Sequence, residues 1–358
     1  MSNEILFSSC QLGRIKLRNR VVMAPMTRNR AIDNIPGDIA VTYYGQRAEA
    51  GLIITEGTSP SPNGLGYPRI PGLFDATHVC AWKNVTDAVH AKGGRIFVQL
   101  MHTGRASHPG NLPPGARILA PSAIALKSDI WVDPDGNQPA ALPEAMTLVD
   151  IESTIKEYVR SSELAIEAGF DGVELHGANG YLIEQFLNTA SNQRTDDWGG
   201  TIRNRIRFAV EIARRTAACI GGDRLGMRVS PYGVFNGMVS DATTEDMYES
   251  LAIKLSAIGL AYLHVVDHSS MGAPEVKPSV KKKMRDAFRG LMILAGGYDR
   301  ESAEAALNER RADLIAFART FLANPRLVTL LRESKTLRQP DFATLYTPGE
   351  KGYTDYPV

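Results

Sequence analysis

The stretch richest in reactive groups is His176-Gly177-Ala178-Asn179-Gly180-Tyr181. It puts an imidazole at the end of an apolar run, an amide three residues on and a phenol two further. Two neutral donors at this spacing can hold a carbonyl or nitro oxygen and stabilise the negative charge that develops on it. The phenol is then a proton donor beside them. A single buried histidine is more often structural than catalytic, so a structural reading stands beside the chemical one. A metal site is the weaker alternative, because no second histidine or carboxylate has ligand spacing. Cys10, Cys80 and Cys219 form no Cys-x-x-Cys pair, which excludes a thiolate zinc site or an iron–sulfur cluster.

Other candidate groups stand where apolar runs meet polar loops: Thr27, Glu56 with Gly57, Gln99, Arg228, Asp267 with His268, Gly296-Gly297 and Arg319. No lysine is among them, which disfavours a Schiff-base aldolase. The carboxylates are scattered, which disfavours a magnesium-dependent enolase-type site. Neutral donors with two arginines suit a planar, hydrogen-bonding, phosphorylated ligand. Ala295-Gly296-Gly297-Tyr298 and Phe317-Ala318-Arg319 can bind phosphate through backbone N–H groups and a forked cation. On its own, the Gly-Gly pair reads equally well as a tight turn.

These groups need elements to position them. Apolar runs at Arg20–Met26, Gly51–Glu56, Arg95–Leu100, Phe170–His176, Arg224–Ser230, Leu260–Val266, Leu291–Ala295 and Ala312–Phe317 read as strands. Seven of the eight are nearly continuous, as expected for strands covered on both faces. Phe170–His176 is the exception, broken by Asp171, Glu174 and His176. Between the runs lie helical patterns, including Asp150–Ala168, Ile202–Cys219, Thr244–Ile258, Val276–Phe288 and Asp299–Asn308. Strand–helix alternation predicts an α/β protein, the (β/α)8 TIM barrel. A doubly wound sheet is disfavoured, because no strand leads into a Gly-x-Gly-x-x-Gly turn. In a barrel the groups named above share one face, the C-terminal ends of the strands.

One segment interrupts the alternation. Residues 108–146 follow the third strand and carry seven prolines, too long a connection for a compact domain unless it is functional. Short strands at Ile118-Leu119-Ala120 and Ile130-Trp131-Val132 predict a capping hairpin or lid. The chain of 358 residues is 44% hydrophobic and 22% charged, with 40 basic and 39 acidic residues for a net charge of +1. Such a balance disfavours nucleic acid as the main ligand. No apolar run approaches a membrane span, and the start, Met1 to Phe7, lacks the pattern of a signal peptide. Few, scattered cysteines suit a reducing compartment, so the expected location is the cytoplasm.

In order along the chain come Met23-Ala24-Pro25-Met26-Thr27-Arg28, Gln99-Leu100-Met101-His102-Thr103-Gly104-Arg105, Ala120-Pro121-Ser122-Ala123-Ile124 and His176 to Leu187. Then follow Arg194 to Phe208 with its Asp-x-Trp-Gly-Gly core, Arg228-Val229-Ser230-Pro231, Ala323-Asn324-Pro325 and Gly352-Tyr353-Thr354-Asp355-Tyr356-Pro357. With these motifs the chain resembles, end to end, the old yellow enzyme family of FMN-containing TIM-barrel ene-reductases. Thr27 aligns it with the subgroup that has threonine rather than cysteine there.

The resemblance implies a role for each residue. Pro25, Met26 and Gly57 would line the isoalloxazine through backbone groups, Thr27 would bond the flavin C4 carbonyl, and Gln99 the pyrimidine edge. Arg228 would sit near N1 and C2=O, while Gly296, Gly297, Ala318 and Arg319 would hold the phosphate. His176 and Asn179 would bind the substrate oxygen and Tyr181 would give the proton, with Tyr67, Met101 and Tyr353 shaping the pocket. The implied activity is a ping-pong reduction of α,β-unsaturated carbonyl or nitro compounds, with nitrate esters and nitroaromatics also fitting. NADPH or NADH would reduce the flavin, hydride would pass from N5 to Cβ, and Tyr181 would protonate Cα.

Two departures stand out. Ala318 replaces a usual glycine, which would cost on the order of 1 kcal/mol if that position needs positive φ. Met101 replaces a frequent tryptophan. The Asp196–Gly200 stretch reads as structural. Residues 1–358 are expected to form one barrel, with 108–146 as lid and 340–358 folding near the active site. The rival readings are a flavin-free phosphosugar-type lyase or isomerase and a non-enzymatic flavin-binding module. Monomer and homodimer are both compatible with the sequence.

Overall fold

In a computed structural model, which describes residues 4–358, eight parallel strands close into a barrel. Met1, Ser2 and Asn3 lie outside the described residues. The strands are Val21–Met23, Leu52–Thr58, Ile96–Leu100, Gly172–Gly177, Leu225–Val229, Tyr262–Val266, Leu291–Ala295 and Leu314–Phe317, paired in chain order with the eighth against the first. All eight expected strands are present. The first ends earlier than its apolar run, as Pro25 has no N–H to give the ladder. Asp38–Gln46 and Ala76–His90 follow the first two strands, and Leu148–Glu167 follows the third. After the remaining five come Ile202–Ile220, Thr244–Ile258, Pro278–Ala287, Arg300–Asn308 and the short pair Arg319–Ala323 and Leu327–Arg332. No helix among the described residues is long and apolar enough to cross a membrane.

The period of two along each strand divides the core into two layers. Val98, Leu100, Val173, Leu175, Met227, Val229, Leu263 and Val265 face the helices. Val22, Ile54, Phe97, Tyr262, Ile293 and Leu314 face inward, together with Cys10, Leu12 and Leu17 of an antiparallel N-terminal hairpin, Cys10–Leu12 with Ile15–Leu17. The hairpin thus shares the barrel's inner core and closes the end opposite the candidate site. Gly226 is required here by space, as a Cβ would lie 2.2 Å from the Tyr262 ring. One step further along the same inner face, Gln99, Glu174 and His264 replace apolar residues, so the floor beneath the strand ends is polar.

Residues 108–146 cover the C-terminal face with less regular structure. Leu119–Ala120 pairs in parallel with Glu144–Ala145, while Asp129–Val132 pairs with Gly136–Pro139 as a hairpin. The two expected short strands therefore join different sheets rather than each other. The segment is fastened by Arg194, whose Nη1 donates to the carbonyls of Pro121 and Met146. Its Nε and Nη2 grip Asp196, which also accepts from Trp198 N. The Asp196–Gly200 stretch is therefore a clasp. Replacing Arg194 by alanine strands two carbonyls and a carboxylate, so Arg194→Ala should cost about 1–3 kcal/mol of stability. Thermal unfolding would show the loss, and faster amide exchange confined to 118–146 would show that the clasp holds this segment. Unchanged exchange there would reject the role.

Candidate active site

The polar floor is built across four neighbouring strands, the third to the sixth. Glu174 pairs in register with Gln99 on one side, and Arg228 pairs with both His176 and His264. The wholly buried Glu174 carboxylate accepts from Gln99 Nε2 at 2.7 Å and lies 2.9 Å from His264 Nδ1. These bonds answer the desolvation that an isolated carboxylate could not survive here. They also fix the Gln99 amide at its strand end, and the Arg228 guanidinium lies on the strand between those of Glu174 and His264. Arg228 is buried, and its Nε has no partner in the protein. An orphaned buried donor of this kind fits an acceptor supplied by a ligand.

Above the floor, the fourth strand delivers His176 into a tight loop. Burial, reinforced by the charge of Arg228, holds the His176 imidazole well below its ordinary pKa, so the ring is neutral. Its Nδ1 accepts from Ala178 N at 3.3 Å, which puts the proton on Nε2 and makes the ring a donor. Asn179 has φ of +60°, a left-handed conformation that asparagine tolerates better than most residues. Its backbone N–H meets Ser230 Oγ at 2.9 Å, its carbonyl accepts from Asn236 Nδ2 at 2.8 Å, and its Oδ1 lies 2.8 Å from His268 Nε2. The amide atom left for a ligand is Nδ2. Tyr181 stands edge-on to His176, with ring centroids 5.0 Å apart, and edge-on to Tyr67 at 6.2 Å. Burial and the Tyr67 phenol hold the Tyr181 hydroxyl well above its ordinary pKa, so it stays protonated.

Two cavities flank this loop. The smaller, about 240 Å³, is lined by Arg228, His268, Ser270, Gly296, Gly297, Ala318 and Arg319. Gly296 and Gly297 have φ of +140° and +68°, conformations that side chains rarely adopt. Arg319 is exposed and meets only Ser270 Oγ, at 3.4 Å. Backbone donors beside an uncommitted guanidinium fit a phosphate. Ala318 has φ of −102°, so the substitution carries no left-handed penalty.

The larger cavity, about 860 Å³, opens between Thr27, Tyr67, Tyr181 and Asn236 on one side and the hairpin and C-terminal segment on the other. Met101 lies behind the two tyrosines and packs against Gly57, where a Cβ would approach its sulfur to 2.5 Å. Pro25 is buried and Met26 half-buried in the loop that leads to Thr27.

Tyr353 does not take the place expected of it. It is buried and stacked on Tyr43 with centroids 4.0 Å apart, and the Arg28 and Arg30 guanidinium groups lie 5.0 and 4.7 Å from its ring. Arg28 also donates to the Gly352 carbonyl at 2.7 Å. These contacts pull Gly352-Tyr353 inward as an anchor, and the aromatic that lines the cavity from this segment is Tyr346, seven positions before it. Asn236, Arg69, Phe342 and Tyr346 were not among the expected pocket residues. They lie in irregular segments, where no periodicity marks which side faces in.

Residues 5–337 match the family described as NADH:flavin oxidoreductase / NADH oxidase. The chain is 39% identical to a probable flavin mononucleotide-dependent alkene reductase of Leishmania infantum, over 99% of this chain and 98% of that one. Its fold is similar to that of morphinone reductase in complex with tetrahydroNAD, with a TM-score of 0.94, 42% identity and coverage of 98% and 97%. It is also similar to the old yellow enzyme homologue from Zymomonas mobilis, with a TM-score of 0.95, 38% identity and 99% of each chain covered. Similarity of this extent in sequence and fold makes the chain a member of the NADH:flavin oxidoreductase / NADH oxidase family, the family of the old yellow enzyme.

Proposed function

We propose that the protein is an FMN-dependent ene-reductase that uses NADPH or NADH to reduce the activated C=C bond of α,β-unsaturated carbonyl or nitro compounds. The observation that carries this reading is the donor set on the fourth-strand loop: a neutral His176 with its proton on Nε2, an Asn179 amide with Nδ2 left over, and a protonated Tyr181 beside them. FMN, when bound, supplies a hydride acceptor and donor at one face of a planar ring. Arg228, Gln99, Thr27 and the backbone around Pro25, Met26 and Gly57 would hold that ring, and Gly296, Gly297, Ala318 and Arg319 its phosphate.

His176 and Asn179 draw electron density toward the substrate oxygen, which makes Cβ electrophilic. Both hydrogen bonds strengthen as negative charge builds on that oxygen, so they stabilise the transition state more than the ground state. Tyr181 then gives its proton to Cα. A phenol held above its ordinary pKa is a weak acid, but an enolate carbon is more basic still, and the transfer runs downhill. Tyr67, Met101 and Tyr346 would shape the space above the ring.

The nicotinamide reductant is supported by the family and by the tetrahydroNAD that the related morphinone reductase holds. Three free thiols, Cys10, Cys80 and Cys219, support a reducing, cytoplasmic setting. We read residues 1–358 as one barrel, with 108–146 as its lid and the 340–358 segment completing the mouth. A flavin-free lyase or isomerase gains no support, as no lysine stands at the strand ends and the family binds flavin.

The purified protein should show the visible spectrum of oxidised flavin, or acquire it on addition of FMN, and bleach anaerobically with NADPH or NADH. A protein that stays colourless with FMN would falsify the proposal, and comparing the two bleaching rates ranks the reductants. Tyr181→Phe should slow re-oxidation of the flavin by an enone about 10²-fold or more, the lower end of a general acid's contribution, with much less effect on the bleaching step. Equal re-oxidation rates would hand the proton to solvent or another acid. Arg319→Ala removes the exposed fork of the phosphate site and should weaken FMN binding about tenfold, as for one charge-assisted bond. Equilibrium dialysis would reject that assignment if FMN affinity did not change.

A further inference from the structure

Asn179 can serve as an oxygen-binding donor only if its amide is turned the right way. Its two polar ends are nearly the same size, and sterics alone barely distinguish them. With Nδ2 toward a carbonyl substrate the group donates; with Oδ1 there instead, two acceptors face each other. Every main-chain feature of Asn179 is already fixed, by Ser230 Oγ on its N–H, by Asn236 Nδ2 on its carbonyl and by its left-handed φ of +60°. What those contacts leave open is rotation of the amide itself. One group meets that amide, the imidazole of His268.

We propose that His268 is the positioning residue of the substrate-oxygen donor pair: its Nε2–H, 2.8 Å from Asn179 Oδ1, engages the amide carbonyl and leaves Nδ2 to the substrate. The inference rests on the reading of Asn179 given above. His268 follows the sixth strand, at Val266-Asp267-His268, so the lock comes from a different strand end than the donor it sets. Its ring is itself held. Phe235 packs edge-on against it with centroids 4.7 Å apart, and the same turn supplies Asn236, which bonds the Asn179 carbonyl. Arg105 Nη2 in turn donates to the Asn236 carbonyl at 3.0 Å, tying that turn to the third-strand loop. One turn, Phe235–Gly237, thereby aligns both partners of the His268–Asn179 bond.

His268 also lines the smaller cavity with Arg228, Gly297 and Arg319, so a competing role is retention of the cofactor. Burial, aided by the charges of Arg228 and Arg319, brings its pKa down to about 4, and the ring is neutral near pH 7. A neutral ring carries one proton. With that proton on Nε2, the 2.8 Å contact is a hydrogen bond donated to Asn179 Oδ1.

The two roles separate in a titration of the FMN-loaded enzyme with a para-substituted phenol, followed by the long-wavelength absorbance of phenolate stacked on oxidised flavin. His268→Ala should raise the phenol dissociation constant about tenfold, as for one lost neutral hydrogen bond. His268→Gln, whose Nε2 can reach the place of the imidazole Nε2, should recover most of that loss. In an Asn179→Ala background, His268→Ala should have no further effect, because there is no amide left to orient.

A loss of FMN affinity in His268→Ala with unchanged phenol affinity in the loaded enzyme would overturn the proposal in favour of cofactor retention. Equal losses with and without Asn179 would also overturn it. If Asn179→Ala alone leaves phenol affinity unchanged, the donor reading fails and the positioning role fails with it. If Asn179→Ala weakens phenol binding while His268→Ala does not, the donor reading survives and only the positioning role is lost. Should His268→Ala not retain its fold, a further loss in Asn179→Ala/His268→Gln beyond Asn179→Ala alone decides the same question.

Discussion

A carboxylate buried inside a barrel must be answered by donors, and the candidate site is built on the answer given to Glu174. In a strand interior each inward position costs a packing contact if it is polar. Here four consecutive strands, the third to the sixth, accept that cost with Gln99, Glu174, Arg228 and His264, Glu174 in register with Gln99 and Arg228 with His264. Below these residues the inner face is apolar and plugged by the N-terminal hairpin. Above them the strand ends carry donors and loops. The Glu174 bonds to Gln99 and His264 therefore do two things. They satisfy a charge that burial would otherwise make intolerable, and they fix the rotamers of the side chains that form the floor. Glu174 also sets a charge opposite to that of Arg228 on the neighbouring strand.

The loop above depends on a second buried carboxyl. Glu184 accepts from Gly180 N at 2.6 Å, from Ser230 Oγ at 2.8 and 2.9 Å, and from Tyr248 at 2.8 Å, and burial pushes its pKa up to about 7. Ser230 is the hinge of this arrangement, donating to Glu184 while accepting from Asn179 N. Through it, the short helix Leu182–Leu187, which carries Glu184, and the end of the fifth strand both hold the left-handed turn at Asn179. The strain of that turn is thus over-determined by its surroundings, which is the condition under which such conformations persist at functional sites.

How much of this the sequence conveys depends on the kind of signal. The eight strands were legible because burial on both faces writes continuous apolar runs, and the irregularity of Phe170–His176 marked the strand that brings in Glu174 and His176. The candidate donors His176, Asn179 and Tyr181 were legible because they crowd six residues at a strand end. What was not legible is who holds them. Glu184, Asn236 and Arg105 lie in other elements, and His268, though at a strand end, gave no sign of its partner. Tyr353 misled for a related reason. Its motif is easy to see, but whether a buried tyrosine lines a cavity or anchors a tail depends on two arginines more than 300 residues away.

The mouth of the larger cavity follows a different rule from its floor. Arg69 Nε donates to the Asn29 carbonyl at 2.8 Å, its Nη2 to the Tyr346 carbonyl at 3.0 Å, and its Nη1 pairs with Asp133 in the hairpin turn. One side chain thereby gathers the first-strand loop, the C-terminal segment and the Asp129–Pro139 hairpin. Two of its three partners are backbone carbonyls, which any residue offers. The identities of Tyr346, Phe342 and Trp131 are therefore not needed to hold the mouth together, while their side chains set its shape. The floor is the opposite case, since Gln99, Glu174, Ser230 and Glu184 each satisfy a buried partner through the side chain. The fold itself thus separates a floor held through specific side chains from a rim held largely through backbone carbonyls.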